Sequence, residues 1–170
     1  MVLRFTRNKH ASTIDLEDGS ILSRCSVCDT FFEASVEIVI QIPDMAITSA
    51  RGVIRRSFSE ECKKIVPMMD KLNELRIGPG IIKAIEGTVG GTNGCPRISD
   101  LVWECCNGVI LRFTAPRIRE MEEAIVDPEV RAARQRRFIE QNPRLIGTCI
   151  AYAEGSPLLQ GIKIQKEENS

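Results

Sequence analysis

Histidine is nearly absent. His10 is the only one in 170 residues. One histidine excludes multi-histidine metal sites and leaves a Cys–His or Ser–His dyad short of a base. His10 itself reads as an exposed residue near the terminus. An excess charge of either sign is also missing, because 23 Lys and Arg balance 23 Asp and Glu. Proteins whose main task is neutralising phosphates carry a clear basic excess, so no nucleic-acid partner is expected. Long apolar runs are missing too. Stretches such as Ile38–Ile40 fall far short of the ~20 residues of a membrane span, so no membrane partner is expected. The opening Met1–Arg7 has no apolar h-region and no small-residue cleavage site, which points to a cytoplasmic protein. No Gly-x-Ser-x-Gly elbow, Walker loop or dinucleotide fingerprint occurs.

What remains is a composition 43% hydrophobic and 27% charged, that of a soluble globular domain rather than a disordered chain. The length suits a single domain of residues 1–170 with one core. Seven cysteines are present. In a cytoplasmic chain they are read as reduced thiols or ligands, and an odd number leaves one over in any pairing.

Residues 1–58 read as mainly β. Asp18-Gly19 is a two-residue turn signal between strands Ser12–Glu17 and Ser20–Val27. A third strand, Ala34–Ile42, alternates Val36, Ile38, Ile40 and Ile42 with Glu37, Val39 and Gln41, the antiparallel period with one wet face. Ile47–Arg55 is a fourth candidate. Residues 59–144 read as mainly α. Ser59 caps a helix that opens with Glu60 and Glu61, and Pro67 is expected to kink or restart it. A short helix Ile81–Gly87 leads into the glycine-rich loop Gly87–Gly94. The next helix carries one stripe of Ile98, Leu101, Val102, Cys105, Val109 and Phe113. Pro116 and Pro128 each read as a first helical residue, the second capped by Asp127. Leu145–Tyr152 reads as an apolar strand or core segment within 145–165, and Lys166–Ser170 as a polar tail. The expected class is α+β: an antiparallel sheet of three to four strands, then four to five helices packed on one face.

Cys95 precedes Pro96, which makes it the N-cap of the striped helix. There a thiolate faces free N–H groups and the positive end of the helix dipole, which favours nucleophilicity or metal ligation. The glycines before it, including Gly91 and Gly94, let backbone come close to whatever sits there. The plain alternative is a tight loop with an inert cap. Cys62 opens its own helix but also continues an apolar stripe, as a small buried hydrophobe would. Cys105 reads as core, Cys106 as its flank, and Cys149 as buried. Cys25 and Cys28 have a ligand-like spacing, but no second pair completes a zinc ribbon. Arg131, Arg134, Arg136 and Arg137, flanked by Glu129 and Glu140, read as a solvated helix face.

Several of these residues also carry a resemblance. Arg4–Arg7, Ile54–Ser57, Glu61-Cys62, Leu75–Gly80, Val89–Gly91, Gly94-Cys95 and Leu145–Tyr152 resemble a bacterial domain of unknown function, with its pattern LRIGPG, VGG and GC. The resemblance covers most of the chain and implies a family without an assigned activity. Two histidines of that pattern are replaced here by Arg97 and Ile150. In order, Cys28-Asp29, Val36–Ile42, Cys62 and Gly94-Cys95 are also similar to NifU-like iron–sulfur scaffolds. That similarity implies cysteine ligation of a cluster.

Three readings follow. In the first, Cys28, Cys62, Cys95 and a fourth ligand Cys149 hold an iron–sulfur cluster or zinc, with Asp29 modulating exchange; thiolates select such soft metals. Cys28, Cys62 and Cys95 are then expected to converge in space. In the second, the chain is a non-metal accessory module of a catabolic system that binds a small acid or a protein partner, with an anion pocket of Arg76, Arg97, Gly91 and Gly94. In the third, Cys95 is an enzyme nucleophile, a reading with no general base in view.

Overall fold

A computed structural model of the chain describes Val2, residues 4–123 and residues 128–162, with no account of the side chains of 114–123 and of position 144. The fold is α+β, with a four-stranded antiparallel sheet at the N-terminus in the order β1-β2-β3-β4, then four helices. The strands are β1 (Arg7–Asp15), β2 (Ile21–Asp29), β3 (Glu33–Gln41) and β4 (Ala46–Arg56). A 3₁₀ helix, Glu60–Leu72, precedes α1 (Ile81–Thr88), α2 (Pro96–Glu123) and α3 (Pro128–Glu140). The chain forms two compact units, Met1–Phe113 and Thr114–Ser170. Among the described residues no helix is long and apolar enough to cross a membrane.

The turn after β1 sets the register of the whole hairpin. It is not the two-residue loop that Asp18-Gly19 suggests. Leu16 N–H donates to the Ser20 carbonyl and Gly19 N–H to the Leu16 carbonyl, so three residues, 17–19, form the loop. Gly19 has φ +80°, the left-handed conformation that such a loop requires at its last position. Asp18 fastens it, accepting from Ser20 N–H and Oγ. One extra loop residue shifts the pairing by one, and each one-residue shift exchanges the two faces of a strand. Arg7 therefore lies opposite Asp29, and Lys9 opposite Val27. β1 also begins five residues before the expected strand. Its first half is an exposed polar edge that hydropathy does not reveal.

One face of the sheet is covered. Ile21, Cys25, Val27, Ala34, Val36, Ile38, Ile40, Ile47, Ala50 and Ile54 are buried on it. Two elements reach this face. Ser23 Oγ donates to the Cys105 carbonyl of α2 at 2.9 Å. Gly52, opposite Val36, leaves the space that Met69 of the 3₁₀ helix fills. That helix has the expected Ser59 cap, whose side chain accepts from Glu61 N–H. Pro67 lies inside it and has no N–H to give to the helical ladder. The α2 stripe is buried at Ile98, Leu101, Val102, Cys105 and Val109, but Phe113 is exposed. Cys106, expected at the flank, is as buried as Cys105.

Two further expectations are corrected. α2 runs through Pro116, so that proline does not begin a helix. Leu145–Tyr152 is neither strand nor core: Pro143–Leu145 and Ile150–Tyr152 are short 3₁₀ turns, and Ile150 is almost wholly exposed. Gly147 at φ +78° breaks the extended conformation that a strand there would need. Asp127 and Lys166–Ser170 lie outside the described residues.

Candidate functional site

The candidate site is an open cleft of about 240 Å³ in the first unit, where the end of β2 meets the start of α2. Val27, Phe32 and Leu101 form its apolar floor, and Arg7, Lys9, Asp29, Arg97 and Asp100 its charged walls. Period two on β1 sends Arg7 and Lys9 to the same side as Val27 and Asp29. Arg97 and Asp100, three apart on α2, occupy neighbouring positions on one helix face.

Asp29 is the hub. Its side chain is 1% exposed, yet it is fully bonded. Arg7 donates to Oδ2 through Nε at 3.0 Å and Nη2 at 2.7 Å. The amides of Phe31 and Phe32 donate to Oδ1 at 2.8 and 2.7 Å. Burial works against the charge. The hydrogen bonds from Arg7 and the two amides outweigh it, and the pKa falls to about 2. Asp29 is thus a fixed anion that anchors Arg7 and the turn into β3.

The three cations are not equivalent. Arg7 is committed to Asp29. Lys9 Nζ donates to Asp100 Oδ2 at 2.6 Å and to Glu104 Oε1 at 3.1 Å. Burial disfavours its charge, but those two acids dominate and raise its pKa. Arg97 differs. Its guanidinium lies over the Phe32 ring, 4.9 Å from the centroid, and Nη1 is 3.8 Å from Asp29 Oδ2. That distance is an ion pair but not a hydrogen bond. Among the described residues, nothing accepts a hydrogen bond from its guanidinium. Arg97 is therefore held flat by an aromatic face with its donors open.

Cys95 does cap α2, since Ser99 N–H donates to its carbonyl at 2.9 Å. The glycines before it serve the chain itself. A Cβ on Gly94 would run into the carbonyls of Val89 and Gly90, and Gly91 takes a left-handed φ of +63°. Neither Gly91 nor Gly94 lines the cleft, and nor does Arg76, which faces Asp44 at 3.9 Å.

The four proposed cysteine ligands have different surroundings. Cys28 is exposed, with Arg56 Nη2 at 3.5 Å from its sulfur. Cys62 and Cys95 are half-buried against the core. Cys149, expected to be buried, is exposed and lies in the second unit. Among the described residues no three His, Cys, Asp or Glu side chains gather as a metal-holding group.

Of the cleft's residues, the sequence pointed to Arg97 as anion-binding and to Asp29 as modulating a metal site, and it did not point to Arg7, Lys9, Phe32 or Asp100. The signal was partial. Arg7 and Lys9 alternate as cleft-facing residues of a strand should, but their side of the strand depends on the three-residue turn.

A family model described as "Protein of unknown function (DUF2889)" matches residues 12–110. That stretch holds Asp29, Phe32, Arg97 and Asp100, while Arg7 and Lys9 lie just before it. No curated protein and no solved structure matches the chain.

Proposed function

The chain belongs to the DUF2889 family of proteins of unknown function, and from that premise we propose that it is a binding module whose cleft takes a small acid on Arg97. One observation carries the reading. Of the three cations in the cleft, Arg97 alone donates no hydrogen bond among the described residues, and the Phe32 ring holds its guanidinium in place. A planar guanidinium with a fixed orientation suits bidentate recognition of a carboxylate. The volume fits a ligand of a few heavy atoms. Val27, Phe32 and Leu101 supply the apolar contact that such a ligand's carbon skeleton requires. Seven free thiols fit a reducing, cytoplasmic setting.

The test is isothermal titration of the purified protein with propionate at pH 7 and low salt. Binding is expected, and Arg97→Ala is expected to weaken it at least about tenfold, the size of one charge-assisted hydrogen bond. The Arg97 side chain is about half exposed, so the variant is expected to melt near the parent temperature. An Arg97→Ala protein that binds as tightly as the parent overturns the reading.

A further inference from the structure

Resting on the small-acid reading, we propose that the cleft selects a monoacid carrying a second group that donates a hydrogen bond, a hydroxyl or an ammonium, and rejects diacids. The argument is the balance of charge along one turn of α2. Arg97 is the one cleft cation that donates no hydrogen bond among the described residues. Asp100, one helical turn further on, is the cleft's open acceptor. Its side chain is 54% exposed and lines the same cleft. Lys9 occupies Oδ2 at 2.6 Å, while Oδ1 accepts nothing among the described residues. Residues three apart on a helix have Cβ atoms ~5–6 Å apart. A short ligand can therefore place its acid on Arg97 and a donor on Asp100.

A second acid group meets the opposite situation. The other two cations of the cleft are each already hydrogen-bonded to an acid. Arg7 is held on both Nε and Nη2 by Asp29, and Lys9 is shared between Asp100 and Glu104. Asp29 keeps its negative charge at every working pH, with a pKa of about 2. A diacid would thus bring its second charge close to Asp29 and Asp100, beside cations that already serve those acids, and like charges at close range disfavour binding.

The experiment compares propionate, lactate and malonate by titration against the parent protein, Asp100→Ala and Arg97→Ala. Lactate adds one hydroxyl to propionate, and malonate adds a second carboxylate. Lactate is expected to bind at least about tenfold more tightly than propionate, and malonate more weakly than either. Asp100→Ala, which removes the acceptor and its charge, is expected to bring lactate to within about threefold of propionate and to improve malonate. Lys9 keeps Glu104 in that variant, so its position is held. Lactate and propionate binding equally to the parent, both lost in Arg97→Ala, overturns the selectivity and leaves the small-acid reading standing. Malonate binding most tightly also overturns the selectivity alone. No binding by any of the three, or binding unchanged by Arg97→Ala, removes both.

Discussion

The covered face of the sheet has two ends, and one strand runs through both. At the β2 start, Ile21, Ser23 and Cys25 pack among Val36, Ile38, Ile40 and Cys105, all essentially closed to solvent. At the β2 end, the same alternation continues through Val27 to Asp29, and the closure gives way to a charged cleft. The two ends obey the same period but satisfy burial differently. At the first, burial is repaid by apolar contact and neutral hydrogen bonds, from Ser23 Oγ to the Cys105 carbonyl and from Cys105 Sγ to the Val36 carbonyl. At the second, a buried carboxylate survives because four donors meet it. An alternating strand thus fixes which residues turn inward, and the chemistry at each inward position decides whether the interior is sealed or becomes a binding wall.

The sharpest way to break this comparison is thiol labelling. Burial pushes the Cys25 thiol up to about 11 and Cys106 up to about 12, and it raises Cys105 as well. Relative to an ordinary thiol near ~8.5, a pKa of 11 lowers the thiolate fraction at pH 8 more than about a hundredfold. Pulsed alkylation followed by mass spectrometry should label Cys28 and Cys149 first and leave Cys25, Cys105 and Cys106 protected until unfolding. Labelling of Cys25 as fast as Cys28 would mean that the sealed end is open.

Truncation in the sealed end comes next. Ile38 is fully buried, and Ile38→Ala should cost about 3 kcal/mol in urea unfolding, through lost transfer energy and a residual cavity. The cost should be the same at pH 5 and pH 8, since no titrating group is involved. A loss under about 1 kcal/mol would show that this end collapses around the gap.

The charged end should respond to acid instead. Asp29 has a folded pKa of about 2, below the ~3.9 of an unfolded aspartate. Its stabilisation is therefore complete above pH ~4 and is lost as the pH falls towards 2. Melting temperatures from pH 6 to pH 2 should show this acid limb in the parent and a shallower one in Asp29→Asn. Parallel curves for the two proteins would remove Asp29 as the hub. The smallest effect belongs to the neutral bond from Ser23 at the sealed end. Ser23→Ala should cost about 1 kcal/mol, the net worth of a buried hydroxyl-to-carbonyl bond. A cost near that of Ile38→Ala would place the polar contact, not the packing, at the centre of the sealed end.

Much of the fold was legible because it is written in short-range pattern. The alternation of Val36, Ile38 and Ile40 gave β3, the Ser59 cap and Glu60-Glu61 gave the start of the 3₁₀ helix, and the stripe from Ile98 to Val109 gave the covered side of α2. Each signal lies within one or two turns or a few strand residues. Cys149 and Ile150 misled for the opposite reason. Their apolar neighbours in sequence suggested a core, but burial needs partners from elsewhere in the chain.

By itself, then, the sequence determined the order of elements, the inward residues of β3 and α2, and the position of Arg97 in the first turn of a helix. Tertiary structure decided the site. Whether Arg7 and Lys9 or their neighbours Asn8 and His10 face Asp29 depends on one extra residue in a turn, a choice of register that both hairpins would make with similar local preferences. The commitment of Arg7 and Lys9 to acids, and the freedom of Arg97 above Phe32, follow from contacts between residues 22 to 95 positions apart. Local pattern carries no record of such pairings, because the energy of an ion pair depends on distance and burial, which exist only once the chain has folded.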